Sequence, residues 1–174
     1  MSSDTFLYFA YGSNMLSARL QAPERCPSAC ALGVAELRGY ELRWHKRSKK
    51  DHSGKCDIIA SDVSGAVIFG VLYEIANDER AALDREEGLN KGYNAIEPTV
   101  IFGDSPLTVR SYQASIIDPV LRPYTWYRAL VIAGAKEHGL PASYIAGLES
   151  VAADEDADRD RHDKNIGLIA GMPA

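Results

Sequence analysis

Long apolar runs are missing from this chain. No stretch approaches the roughly 18 consecutive apolar residues that a membrane-spanning helix requires, and Met1-Ser2-Ser3-Asp4 has neither the charged nor the apolar part of a secretory leader. A cytoplasmic protein without a membrane partner is expected. Cysteine is scarce: Cys26, Cys30 and Cys56 are too few, and odd in number, for a disulfide framework in 174 residues. Cys26 and Cys30 have the spacing of half a metal site, but Cys56 and the scattered His45, His52, His138 and His162 complete no zinc pattern, so all three are read as thiols. Positive charge is not in excess either. Nineteen Lys and Arg face 24 Asp and Glu, a formal charge of -5, which supplies no net basic field for nucleic acid. There is no Gly-x-Ser-x-Gly nucleophile elbow, no phosphate-binding glycine loop and no internal repeat.

What is present is a 46% apolar chain of a length that suits one domain, residues 1–174. Segments 5–11, 32–45, 56–61, 66–75, 95–102 and 107–115 are rich in Val, Ile, Leu and Tyr and several alternate, which predicts about six strands. "ANDERAALDREEG" predicts a helix with Asn77 as N-cap and Gly88 as its stop, and "TWYRALVIAGAKEHGLP" predicts another, closed by Gly139 and Pro141. A third, from Pro141, stacks Ile145, Leu148 and Val151 on one face. Helices interrupt the strands irregularly, so the expected class is α+β, a mixed, mostly antiparallel sheet, curved or closed into a barrel, with flanking helices. Two charged segments, 45–55 and a tail from about 154, read as solvated and mobile.

The opening "YFAYGSNM", residues 8–15, places a tight polar turn between a strand and a helical segment. Such a turn aims unpaired backbone N–H groups outward, where a carboxylate or a developing oxyanion could sit. The residues alone equally allow an ordinary strand-to-helix connection. "LYFAYGSNM", "LDREEGLNKGY" at 83–93, "RSY" at 110–112 and "YRALVIAGAKEHGLP" at 127–141 together resemble the γ-glutamylcyclotransferase family, in its order and approximate spacing. The resemblance implies a small α+β barrel that converts a γ-glutamyl amino acid or amine into 5-oxoproline and the free amine. It implies no cofactor, a small-molecule substrate, and allows a homodimer. It also implies site roles: Glu87 as general acid/base; Tyr8, Phe9, Ala10, Tyr11, Gly12, Ser13 and Asn14 as the substrate-binding loop; and Tyr112 and Tyr127 as further contacts. Tyr93 receives no role. The alternative is a non-catalytic small-molecule-binding module on the same fold.

The chemistry fits these residue types. The substrate's α-ammonium must lose a proton before its nitrogen attacks the γ-carbonyl, and the departing nitrogen must gain one, so a single carboxyl can serve both steps. Glu87 falls in the last turn of its predicted helix, where exposed carbonyls disfavour an ionised carboxylate. Glu86 points about 100° away around the same helix. Without the resemblance, two adjacent glutamates read as a solvated helix face.

Overall fold

The computed structural model describes residues 4–172, so the leader expectation for Met1 to Ser3 lies outside the described residues. Strands β1 (Thr5–Ala10), β2 (Cys30–Arg38), β5 (Val67–Ala76), β7 (Thr99–Phe102) and β8 (Ser105–Thr108) form one sheet in the order β1-β5-β2-β7-β8. Every ladder in it is antiparallel. Two ribbons, β3 (Tyr40–Arg47) with β4 (Gly54–Ala60) and β6 (Tyr93–Ile96) with β9 (Ser111–Ala114), continue the curl. The Arg110 carbonyl accepts from the Phe9 N–H at 2.9 Å and the Arg110 N–H donates to Leu7, which stitches β9 to the free edge of β1. Asp57 then accepts from the Ala114 N–H at 2.7 Å and the Gln113 amide donates to the Ile58 carbonyl, tying β9 to β4. The result is a curled, mostly antiparallel half-barrel with helices on its flanks, the α+β class expected.

Among the described residues nine strands replace the six expected, because three of the expected runs are each divided in two, 107–115 among them, where the Val109 and Arg110 N–H groups turn to Pro98 and Leu7. Gly39, at φ +77°, turns the 32–45 segment into a β2–β3 hairpin. Pro98, which has no N–H to donate to a ladder, separates β6 from β7. Five α-helices form among the described residues, α1 (Ser17–Leu20), α2 (Arg80–Glu87), α3 (Thr125–Glu137), α4 (Ala142–Glu149) and α5 (Arg159–Ile166): α2, α3 and α4 fall where helices were expected and α1 on the helical segment after the polar turn, whereas α5 was not expected and lies in the charged tail. Asn77 is not the cap of α2. It opens a 3-10 turn before the helix, and its amide donates to the Thr5 carbonyl at 3.3 Å. Gly88 does end α2, in the left-handed conformation that a side chain disfavours, with the Leu89 N–H closing on Asp84 at 2.8 Å. None of the helices among the described residues is long and apolar enough to cross a membrane.

Both charged segments expected to be mobile are instead pinned by paired charges. In the first, buried Asp51 accepts from the Ser53 N–H and hydroxyl and from Lys55 Nζ at 2.9 Å. In the second, Asp156 is buried, accepts from Trp126 Nε1 at 2.8 Å and takes both arms of the Arg161 guanidinium at 2.6 Å. Asp158 caps α5 by accepting from the Arg161 N–H. A run of charges reads as solvated only until a partner from elsewhere in the chain meets it.

The polar turn after β1 is a single 3-10 turn, Ser13–Met15, and α3 lies directly on it. A Cβ on Gly134 would stand 2.5 Å from the Leu16 nitrogen and 2.7 Å from the Met15 carbonyl carbon. No flexible side chain can yield there, because the obstacle is backbone. Gly134→Ala is therefore expected to destabilise the protein by about 1–3 kcal/mol through overpacking. Urea unfolding of the two proteins measures the difference.

Candidate active site

Strand alternation sends the Tyr8 ring inward at the curled end of the sheet, and the turn that follows folds back beneath it. Ser13 and Asn14 are buried, and their backbone N–H groups, the first of the 3-10 turn, have no acceptor among the described residues. Gly12 permits the fold-back. A Cβ there would lie 3.1 Å from Cys56 Cβ and 3.2 Å from the Tyr127 hydroxyl. The walls are Tyr8, Tyr11, Gly12, Ser13, Asn14, Cys56, Glu87, Tyr93, Tyr112 and Tyr127, around about 310 Å³ of empty space.

Glu87 is the carboxylate of this chamber. The Asn14 amide donates to its Oε1 at 2.5 Å and the Tyr8 hydroxyl at 3.5 Å. The Asn14 carbonyl in turn accepts from Arg25 Nη1 at 3.3 Å, and Arg25 Nη2 reaches Glu86 at 3.4 Å. The two adjacent glutamates thus diverge as their helical phase requires: one faces the chamber, the other a guanidinium outside it. Burial raises the Glu87 pKa above the ordinary glutamate value, while Arg25, Arg19 and Lys46 pull against that rise. Withdrawal from water is thus the leading cause, whereas the sequence pointed to the helix end.

The tyrosines are held by hydrogen bonds around the walls. Tyr11 donates to the Tyr112 carbonyl and Tyr93 to the Cys56 carbonyl, each at 2.5 Å, and the Cys56 N–H donates to the Tyr127 hydroxyl at 3.1 Å. Tyr112 donates to Asp84 Oδ1 at 2.5 Å, and Arg110 Nη2 binds the same oxygen at 2.6 Å. Burial pushes the Cys56 thiol up to about 12, so it is no nucleophile at neutral pH. All three cysteines are free thiols.

Of the residues nominated from sequence, Tyr8, Tyr11, Gly12, Ser13, Asn14, Glu87, Tyr112 and Tyr127 converge on one chamber. Phe9 and Ala10 do not line it. Both are fully buried in β1, where the Phe9 ring and the Ala10 carbonyl pack against Gly70. Sequence reasoning missed Cys56 and Tyr93, and the Asp84–Arg110 pair behind Tyr112. Asp84 carried a usable signal: it precedes Glu87 by three residues, so both project from one face of α2.

The model of the AIG2-like family matches residues 67–148. The chain is 36% identical over 154 residues to a γ-glutamylcyclotransferase of Bos taurus, covering 85% of this chain and 79% of that protein. The Homo sapiens γ-glutamylcyclotransferase is 34% identical over 85% of this chain and 79% of its own length. A solved γ-glutamyl cyclotransferase structure superposes with a TM-score of 0.81 at 30% identity, over 92% of this chain and 99% of that one.

The balance of burial and charge at Glu87 is directly measurable. Carboxyl carbon NMR, assigned by comparison with Glu87→Gln, is expected to place its titration above that of an exposed glutamate. Arg25→Gln removes the first of the opposing cations and is expected to move it higher still. A downward shift in that variant would mean that Arg25 does not act on Glu87 through its charge.

Proposed function

The chain belongs to the γ-glutamylcyclotransferase family, and on that footing we propose that the Glu87 chamber closes the γ-glutamyl group of its substrate into 5-oxoproline, releasing the attached amine. The observation that carries this reading is a single carboxyl of raised pKa, hydrogen-bonded by Asn14 beside the polar turn. Ionised Glu87 takes a proton from the substrate's α-ammonium. The freed nitrogen adds to the γ-carbonyl carbon, and negative charge develops on the carbonyl oxygen. The N–H groups of Ser13 and Asn14 are suited to that oxygen or to the substrate's carboxylate. As the original C–N bond breaks, protonated Glu87 returns the proton to the departing nitrogen, leaving the enzyme unchanged. Every atom is accounted for: one γ-glutamyl amide yields one lactam and one amine.

Ring closure is intramolecular, so much of the advantage lies in holding the folded conformer. Effective molarities for such reactions reach about 10⁵ M or more. Tyr8, Tyr11, Tyr112 and Tyr127 provide rigid walls for that purpose. A raised pKa suits a group that both accepts and donates near neutral pH. The same reading takes the chain as one cytoplasmic domain over 1–174 that uses no cofactor, binds neither nucleic acid nor membrane, and leaves room for a homodimer. A non-catalytic module would have no need of a carboxyl kept in so unfavourable a place.

Glu87→Gln preserves shape but cannot carry the proton, and 5-oxoproline formation is expected to fall roughly 10²- to 10⁴-fold. Glu86→Gln makes the same charge change outside the chamber, still offers Arg25 an acceptor, and should retain turnover. Stability supplies an independent check. A carboxyl whose folded-state pKa is raised stabilises the fold below its unfolded pKa, and that contribution disappears as pH rises through the folded value. Neutral pH lies above the unfolded pKa, where that contribution is being lost, so Glu87→Gln should melt no lower than the parent. Near-parental turnover in a folded Glu87→Gln protein would remove Glu87 from the chemistry.

A further inference from the structure

The chamber opens into a second, wider cavity with about 900 Å³ of empty space, which shares Ser13, Asn14, Glu87, Tyr93 and Tyr127 as common wall. Its lining is unlike the rest of the surface. In a chain of net charge -5, eight of the 19 Lys and Arg line this one vestibule, against two acidic residues, Glu86 and Glu87. Arg25 is paired with Glu86, and Lys55 with Asp51. The other six, Arg19, Lys46, Lys49, Lys50, Arg85 and Lys91, have no carboxylate within salt-bridge distance among the described residues.

Two of these six are held in place rather than waving in solvent. The Arg19 guanidinium is withdrawn from water: Nη1 donates to the Asn165 side chain at 3.2 Å, and Nε is buried with no acceptor. Lys46 Nζ sits 4.6 Å above the centre of the Tyr93 ring, on the wall common to both cavities. The turn bearing Lys49 and Lys50 is fastened by Ser48, Asp51, Ser53 and Lys55, so its charge stays at the mouth. A buried donor without an acceptor and clustered like charges that outnumber the carboxylates facing them both cost free energy in the empty protein. An anionic ligand removes both costs. One α-carboxylate satisfies one or two such cations; six call for more.

We propose that this vestibule is the leaving-group subsite and that it selects γ-glutamyl substrates whose departing amine carries two or more negative charges, as an acidic α-amino acid does. The proposal rests on the cyclotransferase reading above, since it needs the γ-glutamyl end seated at Glu87. The departing group then lies in the field of Arg19 and Lys46, with the Lys49, Lys50 and Lys91 side chains drawing it in from solvent. A leaving amine bearing a positive charge meets the same field as repulsion.

The test is a comparison of kcat/KM for 5-oxoproline release from γ-glutamyl-glutamate, γ-glutamyl-alanine and γ-glutamyl-diaminobutane, at low and at high salt. At low salt the acidic dipeptide should exceed the alanine dipeptide by roughly 10-fold or more, with the cationic amide slowest. High salt should shrink the ratio by screening. Arg19→Gln and Lys46→Gln should shrink it too, as should the combined Lys49→Gln, Lys50→Gln, Lys91→Gln variant, whose exposed side chains put little at risk in folding. Thermal melts report whether each variant is folded. A turnover-competent protein that prefers the alanine dipeptide, or a ratio indifferent to the triple variant, overturns this proposal and leaves the ring-closure reading standing. No 5-oxoproline from any of the three overturns both.

Discussion

A carboxyl only partly open to water organises this molecule. Ionised side chains are stable in a protein interior only where donors or opposite charges replace the lost solvent, and Glu87 is supplied with only part of that replacement. Asn14 and Tyr8 donate to it; Arg25, Arg19 and Lys46 act on it through space; yet burial still prevails and its pKa stays raised. The rest of the architecture can be read as the means of holding that imbalance. Gly88 ends α2 immediately after Glu87, β1 brings Tyr8 over it, and the 3-10 turn carries Asn14 beneath it.

The neighbours of Glu87 show how one short segment can serve two environments. Asp84 projects from the same face of α2 and binds Arg110 and Tyr112, locking the inner wall to β9. Glu86, one step around the helix, turns to Arg25 at the edge of the vestibule. Arg25 also holds the Asn14 carbonyl, so the amide of Asn14 is oriented with its nitrogen toward Glu87. A chain of contacts therefore runs from one glutamate to the next through a guanidinium and an amide. The geometry separates a carboxyl paired with a guanidinium from one that faces the chamber with no ion-pair partner among the described residues.

Local signals made part of this readable in advance. The glycine after "DREE" ended a helix, and the polar turn after β1 could be recognised because strand, turn and helix periodicities are properties of a few consecutive residues. Phe9 was drawn into the site only because a motif names consecutive residues, whereas a strand sends it to the face opposite Tyr8; Ala10 shares the parity of Tyr8 but is fully buried behind the chamber wall. The charged stretches were misjudged for a related reason. Asp156 is buried because Trp126, thirty positions away, offers an N–H, and Asp51 because a tight turn returns Ser53 and Lys55 to it.

Composition, periodicity and capping in the sequence determined the class of fold, the helix that ends at Glu87 and the turn that faces it. Each follows from the conformational preferences of neighbouring residues, which act before the chain has closed. Tertiary structure alone decided that Cys56 and Tyr93 would complete the chamber, that burial rather than the helix end would be the leading cause raising the pKa of Glu87, and that cations from residues 19 to 91 would ring one mouth. Those outcomes depend on desolvation and through-space charge, which are set by distances between groups remote in sequence. They come into being only when the curled sheet brings β1, β4 and α2 together.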